Sequence, residues 1–441
     1  MVVYFLSFAF LLSYLLLTFL LQAPPPRYLS SSAVNQETLI ASDPTLFRKM
    51  LSATSNAHEV EISQKVQETF GEDRISLLPD DLLVHILMFV PTKDVVATMI
   101  LSKRWRTIWT VVPRLEFEDI WGSTNGKHES IWWFLDKSLQ LHKAPLLESL
   151  CIRLGQKCPT DVDVTKWVAS AVDRYVRKLR FDLRWSAKPT SMPNSLYTCK
   201  TLNELKLSNK ILLDVPPSVC LPSVTKLYLC DVVYKDEVSF VRLLSSCPIL
   251  RDLLVIRCKE DDNVKVYRVK VPSLEEFSYT NDRPLSHGND VGEIARSVVL
   301  DCPALRQLYI YDSSGDSYCI ENMPCIVRAG IDIFFAYPDK KFLRYLSAAT
   351  SLSLTLTHGL VMCRPDNFSQ LVDLMISPFY SDWLEQLMLM LKNNPKLKSL
   401  TIDDDHNIPL LWNKPDHVPE CLASHLECFK WLSYKGKDEE K

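Results

Sequence analysis

The sequence predicts an α/β chain in three parts. A three-helix module comes first, then an irregular solenoid of parallel strands with helical or looped returns, then a short α+β segment at the C-terminus. Between Leu78 and Trp109 apolar residues recur at helical spacing. From Leu147 onward the triplet apolar-x-x-apolar-x-apolar returns about every 25 residues. The introductory segments "CPIL", "CPAL", "VPSL", "LPSV" and "NPKL" place Pro just ahead of a strand, where it ends the preceding return.

In the first part, Leu82, Leu83, Ile86, Leu87 and Val90 make the stripe of an amphipathic helix. Pro79 suits its first turn, where a missing N–H is no loss, and Asp80 and Asp81 favour the positive end of the dipole. Pro91 stops that helix. Thr92 is the expected cap of a second helix carrying Val95, Val96 and Met99, and Ser102 of a third carrying Trp105, Ile108 and Trp109. Three short helices cannot bury all of that apolar surface among themselves, so the surplus calls for a partner.

In the second part, the triplets are Leu147/Leu150/Ile152, Val176/Leu179/Phe181, Leu202/Leu205/Leu207, Val224/Leu227/Leu229, Leu250/Leu253/Val255 and Leu274/Phe277/Tyr279. They continue as Leu305/Leu308/Ile310, Ile326/Ala329/Ile331, Ala349/Leu352/Leu354, Leu371/Leu374/Ile376 and Leu397/Leu400/Ile402. This period and core are the signature of leucine-rich repeats, one strand per turn followed by a return. One unit cannot cover its apolar edge alone, whereas stacked units can. The Asn/Cys ladder expected after each strand is mostly missing, with Cys258 one of the few matches. The return from Lys235 to Ser246 reads as a helix with Val238, Val241, Leu243 and Leu244 on one apolar face.

The residues between the apolar positions are expected to line the concave wall of the solenoid. They are Arg180, Lys206, Tyr228, Ser278, Tyr309 and Thr401, with Asp182, Tyr311 and Asp332 one step past their strands' last apolar position. Arg180, Lys206, Tyr228, Tyr309 and Tyr311 are the candidate target contacts, the tyrosines because they offer large area at low entropic cost. The competing reading of these tyrosines is ordinary packing between neighbouring repeats.

Composition narrows the function. A net charge of −3 gives no basic field for nucleic acid. Ten glycines and the absence of P-loop, G-x-G-x-x-G, H-E-x-x-H and G-x-S-x-G motifs leave no enzyme signature and no cofactor site. The cluster "DDDH" from Asp403 to His406 reads as a strand exit rather than a metal site. Thirteen cysteines without a C-x-x-C pair read as reduced thiols filling core positions. The sequon Asn367-Phe368-Ser369 has little weight in a cytosolic chain.

Val2 to Leu21 is uncharged and long enough to span a hydrocarbon core of about 30 Å. It is read either as a membrane anchor, with Arg27 keeping the bulk of the chain cytosolic, or as a fortuitous hydrophobic tail. Two functions remain: a cytosolic or nuclear binding adaptor, and a membrane-anchored leucine-rich-repeat receptor. The receptor would need paired cysteine caps and several sequons, and the sequence has neither.

The stretch "DRISLLPDDLLVHILMFVPTKDVVATMILSKRWRTIWTVVPRLEFED", Asp73 to Asp119, closely resembles the F-box of plant F-box/leucine-rich-repeat proteins. Trp412-x-x-Pro415 and "VPECLASHLECFKWLSYKG", Val418 to Gly436, resemble the FBD module that ends many of them. The resemblance divides the chain into a hydrophobic leader (1–22), a poorly ordered linker (23–70), an F-box (71–121), a repeat solenoid (122–408) and a shortened FBD-like segment (409–441). It implies a non-catalytic subunit that holds a Skp-type adaptor and, through it, the cullin of an SCF-type ubiquitin ligase, while the repeats hold a protein target. By carry-over the adaptor contacts are Leu78, Pro79, Ile86, Leu87, Val95, Leu101, Trp105 and Trp109. Lys103, Arg104 and Arg106 would face an acidic adaptor. Leu83, Val96 and Met99 belong equally well to the module's own core.

Overall fold

The computed structural model describes residues 75, 77–119, 130–184, 188–257, 262–282, 296–335, 341–361, 368–380, 383–404, 418–434 and 436. The leader at Val2–Leu21, the linker, Asp73, Arg74, Cys258, Asn367, His406, Trp412 and Pro415 lie outside them. Among the described residues no helix is long and apolar enough to cross a membrane. The chain divides into two units at Val162/Asp163.

The first unit begins with α1 (Asp80–Leu87), α2 (Thr92–Ala97), a 3₁₀ turn Thr98–Ile100, and α3 (Trp105–Ile108) running into a second 3₁₀ turn, Trp109–Val111. Pro79 stands one place ahead of α1, with φ −57° and an extended ψ of 151°, and the Leu82 and Leu83 N–H groups donate to its carbonyl. The helix ends at Leu87, well before Pro91, because turn bonds from Phe89 and Val90 to Ile86 and Leu87 close it first. Two expected caps are corrected. Pro91, not Thr92, precedes α2, and the buried Thr92 hydroxyl instead accepts the Glu116 N–H at 2.6 Å. Ser102 is an exposed loop residue, and α3 starts behind Arg104. Arg104 explains the start: its guanidinium donates to Asp80 Oδ1 at 2.7 Å and to the Leu78 carbonyl, tying the entry of α3 to the entry of α1.

The unit continues through β1 (Arg114–Glu118), α4 (Trp132–Leu141) and β2 (Ser149–Leu154), with β1 and β2 parallel and in register from Arg114↔Ser149 to Glu118↔Arg153. Asp119, 7% exposed, holds this return in place. Its carboxylate accepts from the Ile131 N–H ahead of α4 at 2.7 Å, from the Ser130 hydroxyl at 3.0 Å and from the Gly155 N–H beyond β2 at 2.6 Å. Asp119→Ala leaves one buried and two part-buried donors unpaired. It is expected to destabilise this unit by about 2–3 kcal/mol, read as a lowered urea midpoint with an unchanged slope.

The second unit is built as repeats. After α5 (Thr165–Asp173) come β3 (Lys178–Leu183), β4 (Thr190–Ser191), β5 (Glu204–Asn209), β6 (Ile211–Leu213), β7 (Lys226–Cys230), β8 (Val233–Tyr234), α6 (Glu237–Ser245), β9 (Asp252–Arg257) and β10 (Val266–Lys270). Then follow β11 (Glu276–Asn281), β12 (Ser297–Asp301), β13 (Gln307–Asp312), β14 (Ser317–Asn322), β15 (Arg328–Ile333), β16 (Ser351–Leu356) and α7 (His358–Val361). The last elements are β17 (Asp373–Pro378), α8 (Trp383–Lys392), β18 (Ser399–Asp403), α9 (Glu420–Ser424) and β19 (Cys428–Leu432).

The main sheet of this unit is parallel in the order β3-β5-β7-β9-β11-β13-β15-β16-β17-β18-β19. Every predicted triplet places its last two apolar residues inward on one strand, and all of them are buried. The alternation that buries them turns the intervening residues to solvent, as in the buried-every-second pattern of β9, β11 and β15.

The returns differ more from expectation. α6 forms with Asp236 as its N-cap, whose carboxylate accepts the Ser239 N–H at 2.7 Å. Its buried face is Phe240, Leu243 and Leu244, while Val238 and Val241 are exposed, which corrects the predicted face. Phe240 sets that phase, packing 5.6 Å from the Tyr234 ring and 4.8 Å from the Tyr267 ring. Other returns are strands. β10-β12-β14 and β4-β6-β8 each form a small parallel sheet of their own.

The polar ladder exists, but one residue earlier than expected. Asn209, Arg257, Asn281 and Asp312 close their strands two positions past the last apolar residue and point inward, because each strand runs one further pleat. Arg257 is 3% exposed and donates to Asp262 at 2.6 and 3.0 Å, to Asp316 at 3.2 Å and to the Tyr279 hydroxyl at 2.8 Å. Its guanidinium lies 4.3 Å from the Tyr267 ring centroid. Two strands further on, the Asp312 carboxyl, raised above the usual carboxylate range by burial, accepts from the Tyr318 hydroxyl at 2.7 Å. The thiols are divided: Cys151, Cys158, Cys199, Cys247, Cys302 and Cys421 fill core positions as expected, but Cys220, Cys319 and Cys325 are exposed.

Candidate interaction surfaces

In the first unit the predicted contacts separate into two groups. Leu87, Val95, Trp105 and Trp109 are buried with Leu83, Val90, Ile108 and Val112 as the module's core, against which Leu78, Val96 and Met99 pack partly buried. Pro79, Leu101 and Lys103 are exposed, and Leu78 and Ile86 half-buried. Arg104, expected to face an acidic partner, is engaged by Asp80 and the Leu78 carbonyl. The apolar side chains left outside include Leu82 of the predicted stripe and the predicted contact Leu101, and three that the sequence did not single out, Leu77, Phe89 and Ile100. Phe89 and Ile100 are 60% and 62% exposed, and Leu77 and Leu82 are exposed as well. Phe89 shifts outward because it lies beyond α1 in the closing turn, where the His85 ring packs 5.6 Å from it.

In the second unit the strand register lines up three outward rows. The middle row reads Arg180↔Lys206↔Tyr228↔Leu254↔Ser278↔Tyr309↔Gly330↔Ser353↔Met375↔Thr401. The candidate target residues therefore do share one face, but they are not equally available. Arg180 donates twice to Glu204, at 2.9 and 2.7 Å, and the Tyr228 hydroxyl donates to Asp252 at 2.5 Å. Burial and the Asp252 carboxylate push the Tyr228 phenol well up. Lys206 is half-buried, whereas Tyr309 and Tyr311 are 40% and 39% exposed.

Around those two tyrosines the face is richer than the sequence indicated. Tyr309, Tyr311, Gly330, Asp332, Ser278 and Ser353 line one hollow, and Tyr309, Arg328, Ser351 and Asp373 line another beside it. At the strand exits the Tyr311 ring packs 5.5 Å from Phe334, and Phe334 packs 5.0 Å from Phe379. The signal was present in "IFF" and "PFY" immediately after two triplets, but repeat matching stops at the last apolar position of each strand. Among the described residues no group of three His, Cys, Asp or Glu side chains could hold a metal ion.

Comparison with known proteins agrees with this architecture. Residues 75–117 match the F-box domain model. Residues 164–341 match the repeat model described as "FBD-associated F-box protein At5g56370, LRR repeats", and 414–441 match the FBD model. The FBD-associated F-box protein At1g05080 of Arabidopsis thaliana is 51% identical over 386 residues, covering 84% of this chain and 86% of that one. The chain belongs to the plant F-box/FBD/LRR-repeat family. Two more members from the same plant, the F-box/FBD/LRR-repeat proteins At1g22000 and At4g26340, are 48% and 42% identical. They cover 85% and 83% of this chain and 83% and 87% of their own lengths. In this F-box/FBD/LRR-repeat chain the F-box match coincides with the helical module and β1, and the repeat match runs from α5 past β15.

Proposed function

We propose that this chain is the target-recognition subunit of an SCF-type ubiquitin ligase. Its F-box holds a Skp-type adaptor, and through it a cullin, and the solvent face of the repeat sheet holds the protein to be ubiquitinated. The chain itself is non-catalytic in this reading and works in the cytosol or nucleus. The observation that carries it is the exposed apolar set Leu77, Leu82, Phe89, Ile100 and Leu101 around a module whose own core is already filled. Five exposed apolar side chains on so small a module support reading it as a partner-binding element. Pro79 and Lys103 are exposed beside this set and belong to the same contact in this proposal, Lys103 acting on encounter rate. Leu87, Val95, Trp105 and Trp109 act from beneath, fixing the shape of the surface.

The test is capture of a recombinant Skp-type adaptor by the tagged full-length chain. Phe89→Asp and Ile100→Asp should each weaken capture by about thirtyfold or more, the loss expected of an interface hot spot. Both side chains are exposed, so the unfolding midpoint should stay within about 0.5 kcal/mol of wild type. Undiminished capture by the double variant would remove the adaptor assignment.

A further inference from the structure

The hollow lined by Tyr309 and Tyr311 contains a carboxylate that accepts a single hydrogen bond among the described residues. Asp332 pairs in register with Tyr311 on β13 and accepts one hydrogen bond, from the Thr355 hydroxyl of β16 to Oδ1. No ion pair to Asp332 forms among the described residues, and burial alone raises its carboxyl above the usual range. A half-buried carboxylate without a cation carries part of that desolvation cost, and where it lines an open hollow the missing charge can come from a ligand.

The rest of the hollow suits a cation. Tyr309 and Tyr311 stand two apart on β13, hence on the same face and about 7 Å from each other. The floor beneath Tyr309 is bare backbone: a Cβ on Gly330 would come within 2.9 Å of the Tyr309 ring. Two tyrosine rings, one of them seated directly on the Gly330 backbone, and a carboxylate lining one hollow favour a positive group. Both rings offer cation–π attraction, and the carboxylate offers a charge-assisted hydrogen bond. An anion would meet Asp332 here, and among the residues lining the two hollows its counter-charge is Arg328, on the other side of Tyr309.

We propose that this hollow is a subsite for an arginine or lysine side chain of the bound target, with Asp332 as its counter-ion and Tyr309 and Tyr311 as its walls. The proposal rests on reading the solvent face of the repeats as the target surface. It goes further in naming what that surface selects: an exposed basic residue at the centre of the recognised segment.

The experiment is selection of random displayed nonapeptides on the immobilised full-length chain. Each selected peptide is then compared with its analogue carrying citrulline for arginine, or norleucine for lysine. The expected result is enrichment of arginine or lysine, with at least about tenfold weaker binding of the neutral analogue. The Asp332→Asn chain, isosteric at this position, should keep its unfolding midpoint and bind peptide and analogue alike. Selected peptides without a basic residue, acidic ones in their place, no selected peptide at all, or unchanged discrimination by Asp332→Asn would each overturn the subsite. Adaptor capture is scored on the same preparation. A chain that captures the adaptor but shows no basic preference loses only the subsite, and one that selects basic peptides without capturing the adaptor loses only the ligase reading.

Discussion

Arg257→Met is expected to destabilise the repeat unit by about 3–5 kcal/mol, the cost of breaking a buried ion pair from one side. The arginine is the cation between Asp262 and Asp316 and also donates to the Val264 carbonyl and Tyr279. Methionine restores much of the volume but leaves two buried carboxylates facing each other without a cation. Tyr267 and Asn281 keep their own bonds to Asp262 and Asp316, at 2.8 Å each, so the loss is specific to charge and not to every contact in the cluster. Urea unfolding of the full-length chain gives the measurement. Adding Asp262→Asn and Asp316→Asn to the same variant should recover part of the loss. A change below about 1 kcal/mol for Arg257→Met would mean that water reaches the network.

The second large effect is in the F-box. Trp105→Ala removes a side chain that is 5% exposed and packed among Leu83, Leu87, Ile108 and Trp109, and is expected to cost about 3–5 kcal/mol. A three-helix module of this size has little stability to lose, so the variant should unfold the module and abolish adaptor capture with it. That outcome differs in kind from Phe89→Asp, where capture falls and the fold remains. Far-ultraviolet circular dichroism across a urea series separates the two. If Trp105→Ala melts with wild-type stability, the tryptophan is not a core residue.

The repeats were legible because burial imposes a rhythm on them. A parallel strand stacked between neighbours must present apolar side chains at alternate positions, and that demand appears directly in sequence, down to the less obvious Ile326/Ala329/Ile331. The strand ahead of the repeats obeys the same rule through Val112/Leu115/Phe117 but adjoins a helical pattern, whereas β19 keeps the spacing as Leu426/Phe429/Trp431 without the burial, its Phe429 being exposed. The returns were less legible because their phase is set by distant partners. The face of α6 follows Tyr234 and Tyr267, neither of which lies in the helix.

The interaction surfaces were the hardest to read. Apolar spacing finds Trp105 and Phe89 equally hydrophobic, and only the turn that closes α1 decides that one is inside and the other outside. The same holds on the repeat face, where Tyr228 and Tyr309 occupy equivalent positions. Asp252 on the next strand engages the first, whereas the second overlies a glycine.

The unbroken register of the main sheet has a consequence for how such chains diverge. Inward residues decide whether a repeat stacks, and outward residues have almost no part in that decision, so the two sets can change independently. Substitution along an outward row rewrites what the face selects while the scaffold stays as it is. Gain or loss of a whole repeat moves everything beyond it by one strand spacing, about 4.8 Å, without disturbing any strand's alternation. A lineage of duplicated copies can thus sample new targets in two ways, by respelling a position or by sliding the spelling along the sheet, and neither requires the fold to be found again.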